Sequence, residues 1–216
     1  MKFSKRQRIA IDAGMFAALA VAASFPAAGG LWHEIAGAAF CALALLHNAA
    51  NAGFYKNLTK GKYNAQRALK AASALALAAA CAAMAACGAM HSRYLLGFLE
   101  IDASMASRQM HAAAGNWAFV LASFHFGLHI KIFRARDGTL KTAAINAAAG
   151  CAALCGAYAF AARGFFGKLF LGDTFEFVPE NEIWSVIPLT VCAAIFLAAC
   201  ANAALIIARK IKKGNP

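Results

Sequence analysis

The sequence predicts an all-α, polytopic membrane helix bundle of about six transmembrane helices, organised as one domain over residues 1–216. Three observations predict it. Hydrophobic residues make up 62% of the chain and charged residues only 14%, whereas soluble domains are nearer half and a quarter. The apolar residues come in runs of about twenty, the length that crosses roughly 30 Å of hydrocarbon at about 1.5 Å per residue. The basic residues gather at alternate ends of those runs.

Spans are expected at residues 9–26, 31–54, 67–90, 109–132, 141–163 and 183–208. The first, with its basic start and apolar middle, imitates a secretory signal peptide. Asp12 interrupts the apolar region, so a retained helix is the preferred expectation and cleavage the alternative. The second span carries His33 and His47, and the fourth carries His111, His125 and His129. Alanine recurs throughout. Small residues at helix contacts let backbones approach closely and leave room between helices for something large and flat. The two longest connections, 91–108 and 164–182, alternate Phe and Leu with polar residues, which suits segments lying along the membrane interface and equally suits ordinary loops.

The net charge of +12 raises a nucleic-acid partner, but its distribution argues against one. Lys2, Lys5, Arg6 and Arg8 precede the first span, and Lys56, Lys60, Lys62, Arg67 and Lys70 surround the second connection. Lys131, Arg134, Arg136 and Lys141 surround the fourth, and Arg209, Lys210, Lys212 and Lys213 form the tail. These are 17 of 21 basic residues, all on one side, which the positive-inside rule makes cytoplasmic. Glu100, Asp102, Asp173, Glu176, Glu180 and Glu182 fall on the other side. The expected location is the bacterial inner membrane, with both termini cytoplasmic and lipid as the surrounding partner.

All seven cysteines lie in apolar segments without Cys-x-x-Cys-His or paired Cys-x-x-Cys spacing, and read as small buried filler. The histidines are more informative. His33 and His47 are 14 residues apart, and so are His111 and His125. Fourteen residues advance about 21 Å and end within roughly 40° of four full turns, so each pair lies on one helix face. The second and fourth spans are separated by one helix and so run parallel. When they face each other, His33 comes level with His111 near the outside, and His47 with His125 near the cytoplasm.

Two imidazoles at each level suit one ligand class. Zinc wants three or four ligands in a tetrahedron, and neither level offers them. A haem iron needs only two axial ligands, because the porphyrin fills its other four positions, and bundle cores hold cofactors between facing helices. Gly37 and Gly115 each follow the outer histidine by one turn, where an absent side chain lets a macrocycle lie against the backbone. Two non-covalent haem b groups, stacked across the bilayer in a four-helix haem-binding core, are expected, with His33, His47, His111 and His125 as axial ligands.

The stretches "LWHEIAGAAFCALALLHNAANAGFYKNLTKGKYNAQR" (31–67) and "HAAAGNWAFVLASFHFGLHIKIF" (111–133) resemble bacterial membrane di-haem cytochromes of the b type, which share the four-helix haem core of cytochrome b and ferric reductases. The closest resemblance is to a six-helix subfamily often encoded beside extracytoplasmic flavin-carrying proteins. "SRYLLGFLE" (92–100) and the aromatic–acidic stretch 165–180 are also similar to it. The resemblance implies ligation by the same four histidines and transmembrane electron transfer. The resemblance does not name donor or acceptor; quinol or another membrane or cytoplasmic donor is expected, with an extracytoplasmic acceptor such as a flavin-carrying protein or ferric iron. The chain reads as an electron-transfer subunit of an oxidoreductase, with no residue set for bond-making chemistry of its own.

His129 lies one turn past His125 and is the alternative inner ligand. An 18-residue gap from His111 would exceed the 14 of the second span by about 6 Å, which favours His125 and leaves His129 for a haem propionate or a quinone headgroup. Arg93 and Arg108 are candidates for propionate binding at the outer level, and Asn51, Tyr55 and Lys56 for neighbours of the inner one. Trp117 is read as packing beside the macrocycle or as plain helix packing, and His91 as a surface histidine without a partner. Two rival functions remain: a histidine-lined transporter or proton channel, and a non-catalytic membrane anchor. The apolar run "EIAGAAFCALALL" between His33 and His47 argues against a wet path.

Overall fold

The computed structural model of the chain describes residues 3–130, 139–171 and 183–213. It is all-α, with no strand among the described residues. The helices are α1 (Lys5–Ala23), α2 (Phe25–Ala50), α3 (Ala52–Lys56), α4 (Ala65–His91), α5 (Met105–His129), α6 (Leu140–Ala162), α7 (Phe165–Leu169) and α8 (Ile183–Lys213). A 3₁₀ turn at Gly97–Leu99 lies between α4 and α5.

Helix starts follow from local chemistry. Ser4, Asn64, Ser104 and Thr139 each accept a hydrogen bond from the backbone N–H three residues on, starting α1, α4, α5 and α6. A cap of this kind contributes about 1 kcal/mol, because the first N–H groups of a helix have no partner within it. Gly29, at φ 74° and ψ 172°, breaks α2 after its first turn in a conformation that side chains disfavour. Between α3 and α4, Arg67 donates to the carbonyls of Asn57 (2.6 Å), Lys60 and Lys62 (3.2 Å), tying the connection into one folded turn.

Among the described residues four segments are long and apolar enough to cross a membrane: Gly29–Ala50, Ala65–His91, Leu140–Ala162 and Ser185–Ala208. They correspond to the second, third, fifth and sixth expected spans. The expected second span, 31–54, ends sooner, because the chain turns at Asn51 into the separate α3. The expected first and fourth spans are also single helices, α1 and α5. Both are less apolar: α1 begins with Lys5, Arg6 and Arg8 and holds Asp12, and α5 holds three histidines and Asn116. The expected basic cluster at residues 131–136 and the acidic residues Asp173, Glu176, Glu180 and Glu182 lie outside the described residues.

The helices pair closely as α1 with α2, α4 with α5 and α6 with α8, and α8 also packs along α5. Small residues permit these approaches. A Cβ at Gly127 would sit 2.3 Å from the Ala198 carbonyl oxygen, and one at Gly156 would sit 2.0 Å from that of Cys192. Phe119, Phe160, Phe165, Leu169 and Leu197 fill the core where α5, α6, α7 and α8 meet. The Asn202 amide of α8 donates to Gly127 O (2.6 Å) and Ile130 O (2.9 Å), closing the end of α5. The α1–α2 pair, by contrast, touches the α4–α5 pair only lightly.

Candidate functional site

His33 and His111 come together between the α1–α2 and α4–α5 pairs. Their rings, one from α2 and one from α5, are 5.9 Å apart between centroids and nearly perpendicular at 82°. The backbones that carry them do not pack directly, so the rings reach toward each other across the gap. Both rings are held from behind. His33 Nδ1 donates to Ala22 O (2.9 Å), and His111 Nδ1 donates to Met84 O (2.9 Å). A carbonyl oxygen can only accept, so each Nδ1 carries the hydrogen, which in a neutral ring leaves the lone pair on Nε2.

Two local features permit this geometry. Phe25 meets His33 edge-on at 5.2 Å, although eight residues of unbroken helix would separate them by about 12 Å. The break at Gly29 brings that first turn back over the ring. On α4, Gly88 leaves the space that His111 occupies, since a Cβ there would lie 2.8 Å from His111 Cε1. His91 also has a partner, contrary to the sequence expectation. Its Nε2 is 2.9 Å from the hydroxyl of Ser107, one turn before His111 on α5.

The second level lies at the other ends of α2 and α5. His47 Nδ1 donates to the carboxylate of Asp12 on α1 (2.7 Å). His125 Nδ1 faces the Ser73 hydroxyl of α4 at 3.3 Å. Ser73 gives its own hydrogen to Lys70 O (3.0 Å), which leaves its lone pairs to accept from His125. Among the described residues no hydrogen bond or ring contact joins His47 to His125 or His129. The His125 and His129 rings are 4.7 Å apart and tilted by 43°. Both expected inner ligands therefore remain together, but only His125 has its Nδ1 fixed by a neighbour among the described residues.

The glycines divide. A Cβ at Gly37 would meet nothing within 4 Å, so α2 borders open space there. At Gly115 it would find only the Met84 side chain, with Sδ at 3.9 Å. Trp117 faces elsewhere: its indole N–H donates to Leu169 O (3.0 Å) and its ring meets Phe170 edge-on at 6.0 Å, which makes it plain packing against α7. Arg93 and Arg108 are exposed at the His33–His111 end. Asn51 caps α2 by donating to His47 O (2.9 Å) and accepts from Arg8 (3.0 Å), while the Tyr55 hydroxyl bonds Asn48. Lys56 ends α3.

Several contributors escaped the sequence reading. Glu34 accepts from the Ser92 hydroxyl (2.7 Å) and from the backbone N–H groups of Arg93 (2.8 Å), Tyr94 (3.0 Å) and Leu95 (3.0 Å), stapling α2 to the chain that leaves α4. Asp12 carried a signal of its own, being an acid inside an apolar helix, where ionisable residues are functional by default. Ser73 and Gly88 carried none.

The donor set suits a planar cofactor better than a bare ion. No group of three or more His, Cys, Asp or Glu able to hold a metal ion occurs among the described residues. Two metal–nitrogen bonds of about 2 Å, plus the distance from each nitrogen to its ring centre, add to roughly 6 Å between imidazole centroids. The 5.9 Å between His33 and His111 fits that span, and the open space at Gly37 lies one turn away. No protein-family model matches the chain, and no curated protein or solved structure matches it significantly.

Proposed function

We propose that the chain is a membrane electron conduit that holds two b-type haems, one between His33 and His111 and one between His47 and His125. The observation that carries this reading is the facing pair of His33 and His111, 5.9 Å apart, each with its Nδ1 engaged by a backbone carbonyl. Metal-ligating histidines characteristically donate their second N–H in this way, which fixes the tautomer and the ring orientation. On this reading α1, α2, α4 and α5 form the four-helix haem core, and α6 and α8 complete six spans. The basic residues set the termini and the His47 level on the cytoplasmic side of the inner membrane.

Haem iron supplies a one-electron ferric–ferrous couple. His33 and His111 would hold the haem at one level and His47 and His125 at the other, and holding by two imidazoles would favour electron passage over oxygen binding. Gly37 leaves a flat face for a macrocycle, and the apolar residues between the two levels exclude water. His129 stands beside the cytoplasmic level, where a quinol headgroup is the electron source we assign. A flavin-carrying protein or ferric iron outside is the acceptor.

The test is a reduced-minus-oxidised spectrum of the purified protein, with haem quantified per chain. The expected result is b-type bands from two haems, falling to about half in a His33→Ala/His111→Ala double variant. A colourless protein, as the anchor and channel readings require, or haem undiminished in the double variant, overturns the proposal.

A further inference from the structure

The two levels differ in what holds their histidines. At one, His33 and His111 both donate to neutral backbone carbonyls, of Ala22 and Met84. At the other, His47 donates over 2.7 Å to the carboxylate of Asp12, and His125 faces the Ser73 hydroxyl at the longer distance of 3.3 Å. A carboxylate partner draws the Nδ1 hydrogen away and makes the imidazole a more basic ligand. A more basic ligand, with a negative charge behind it, stabilises the ferric state over the ferrous, and second-neighbour hydrogen bonding of this kind is one of the levers a protein has over haem potential.

We infer that Asp12 is a positioning residue that makes the His47 level the lower-potential of the two sites. The inference rests on the haem reading proposed above and adds an order to the two centres, with electrons favouring the His33–His111 level at equilibrium. Among the described residues no cation touches the Asp12–His47 contact. Lys70 on α4 acts electrostatically on His125 and His129, while Arg8, one turn before Asp12, is directed to Asn51. Among the described residues, only Asp12 touches a ligand ring with its charge. Its side chain is 47% exposed and that of His47 30%, so solvent screens the pair and the effect is moderate.

The test is a potentiometric titration of the full chain followed by its visible spectrum. The wild type is expected to resolve two one-electron components. In the His33→Ala/His111→Ala variant the lower one should remain. Asp12→Asn keeps a side chain of similar shape and removes the charge. It should raise that component about tenfold in its reduction equilibrium constant, about 59 mV for one electron, and leave the other in place. Should Asp12→Asn fail to accumulate, Asp12→Glu is measured instead; its longer arm disturbs the 2.7 Å contact and should move the same component upward by less. Two haems with the lower component unmoved in the measured Asp12 variant, or with the His47 level the higher of the two, overturn the role of Asp12 and leave the conduit standing. A wild type without haem overturns both.

Discussion

His111 donates to the carbonyl oxygen of Met84 (2.9 Å) across a stretch of α4 that is open only because residue 88 is glycine. A methyl group at that position would lie 2.8 Å from His111 Cε1 and 3.0 Å from Nδ1, closer than real side chains come. Gly88→Ala should therefore push the ring off α4 and break the bond to Met84. Overpacking of this kind costs about 1–3 kcal/mol, against a small helix-propensity gain from alanine. The expected outcome is a lower melting temperature, with loss of the haem at the His33–His111 level and retention of the other. Unchanged haem content and melting would show that His111 is not held by α4.

Gly37→Ala should do the reverse. Its Cβ would meet nothing within 4 Å, so the fold has no reason to object, and replacing a mid-helix glycine with alanine is worth up to about 1 kcal/mol in favour of the helix. If a macrocycle lies against this face, the added methyl group intrudes on it. A protein that melts at or above the wild-type temperature without cofactor, yet takes up less haem in reconstitution, is the expected result. Equal uptake by both proteins would mean that the space beside Gly37 has another use.

The contrast between these two glycines shows what the sequence made legible. The repeated 14-residue interval placed His33 opposite His111 without any coordinates, because helical periodicity turns spacing into direction. Apolar run length likewise located the helices to within a few residues. Which helices pack together was not legible. The α4 backbone lies behind His111, and the α1 carboxylate lies behind His47, through contacts between segments far apart in the chain. Gly88 and Ser73 look like ordinary small residues of an alanine-rich helix until the histidines of α5 are laid against them. Of the two readings of Trp117 the structure shows plain packing, but its partner on α7, 52 residues away, was not legible.

Glu34 offers a test of the connection between α4 and α5. One carboxylate accepts from three consecutive backbone N–H groups, those of Arg93, Tyr94 and Leu95, and from the Ser92 hydroxyl. Hydrogen bonds to a charged acceptor contribute about 1.5–3 kcal/mol each when well formed, and less where water competes. Glu34→Gln keeps one carbonyl oxygen and removes the charge, so the cluster should weaken rather than vanish. Amide hydrogen exchange at Arg93, Tyr94 and Leu95 should quicken by about ten- to a hundredfold, corresponding to roughly 1.4–2.7 kcal/mol, while exchange in the middle of α5 stays slow. Exchange unaltered at all three amides would mean that the turn holds itself without α2.

The last prediction separates His125 from His129. The two rings stand 4.7 Å apart on one face of α5, so position on that face does not choose between them. The difference lies behind the rings. His125 has the Ser73 hydroxyl at its Nδ1, oriented to accept because that hydroxyl donates to Lys70 O, whereas no side chain or carbonyl fixes His129 among the described residues. A ligand held in one tautomer and one orientation binds metal more tightly, and loss of such a partner typically costs about 10–100-fold in affinity. His125→Ala should therefore remove the haem of this level, His129→Ala should leave it bound, and Ser73→Ala should weaken it by about the tenfold end of that range. Haem per chain and competitive haem transfer to an apo-acceptor measure all three. Loss of haem in His129→Ala with retention in His125→Ala would reassign the ligand and move it about 6 Å along α5, four residues at about 1.5 Å each.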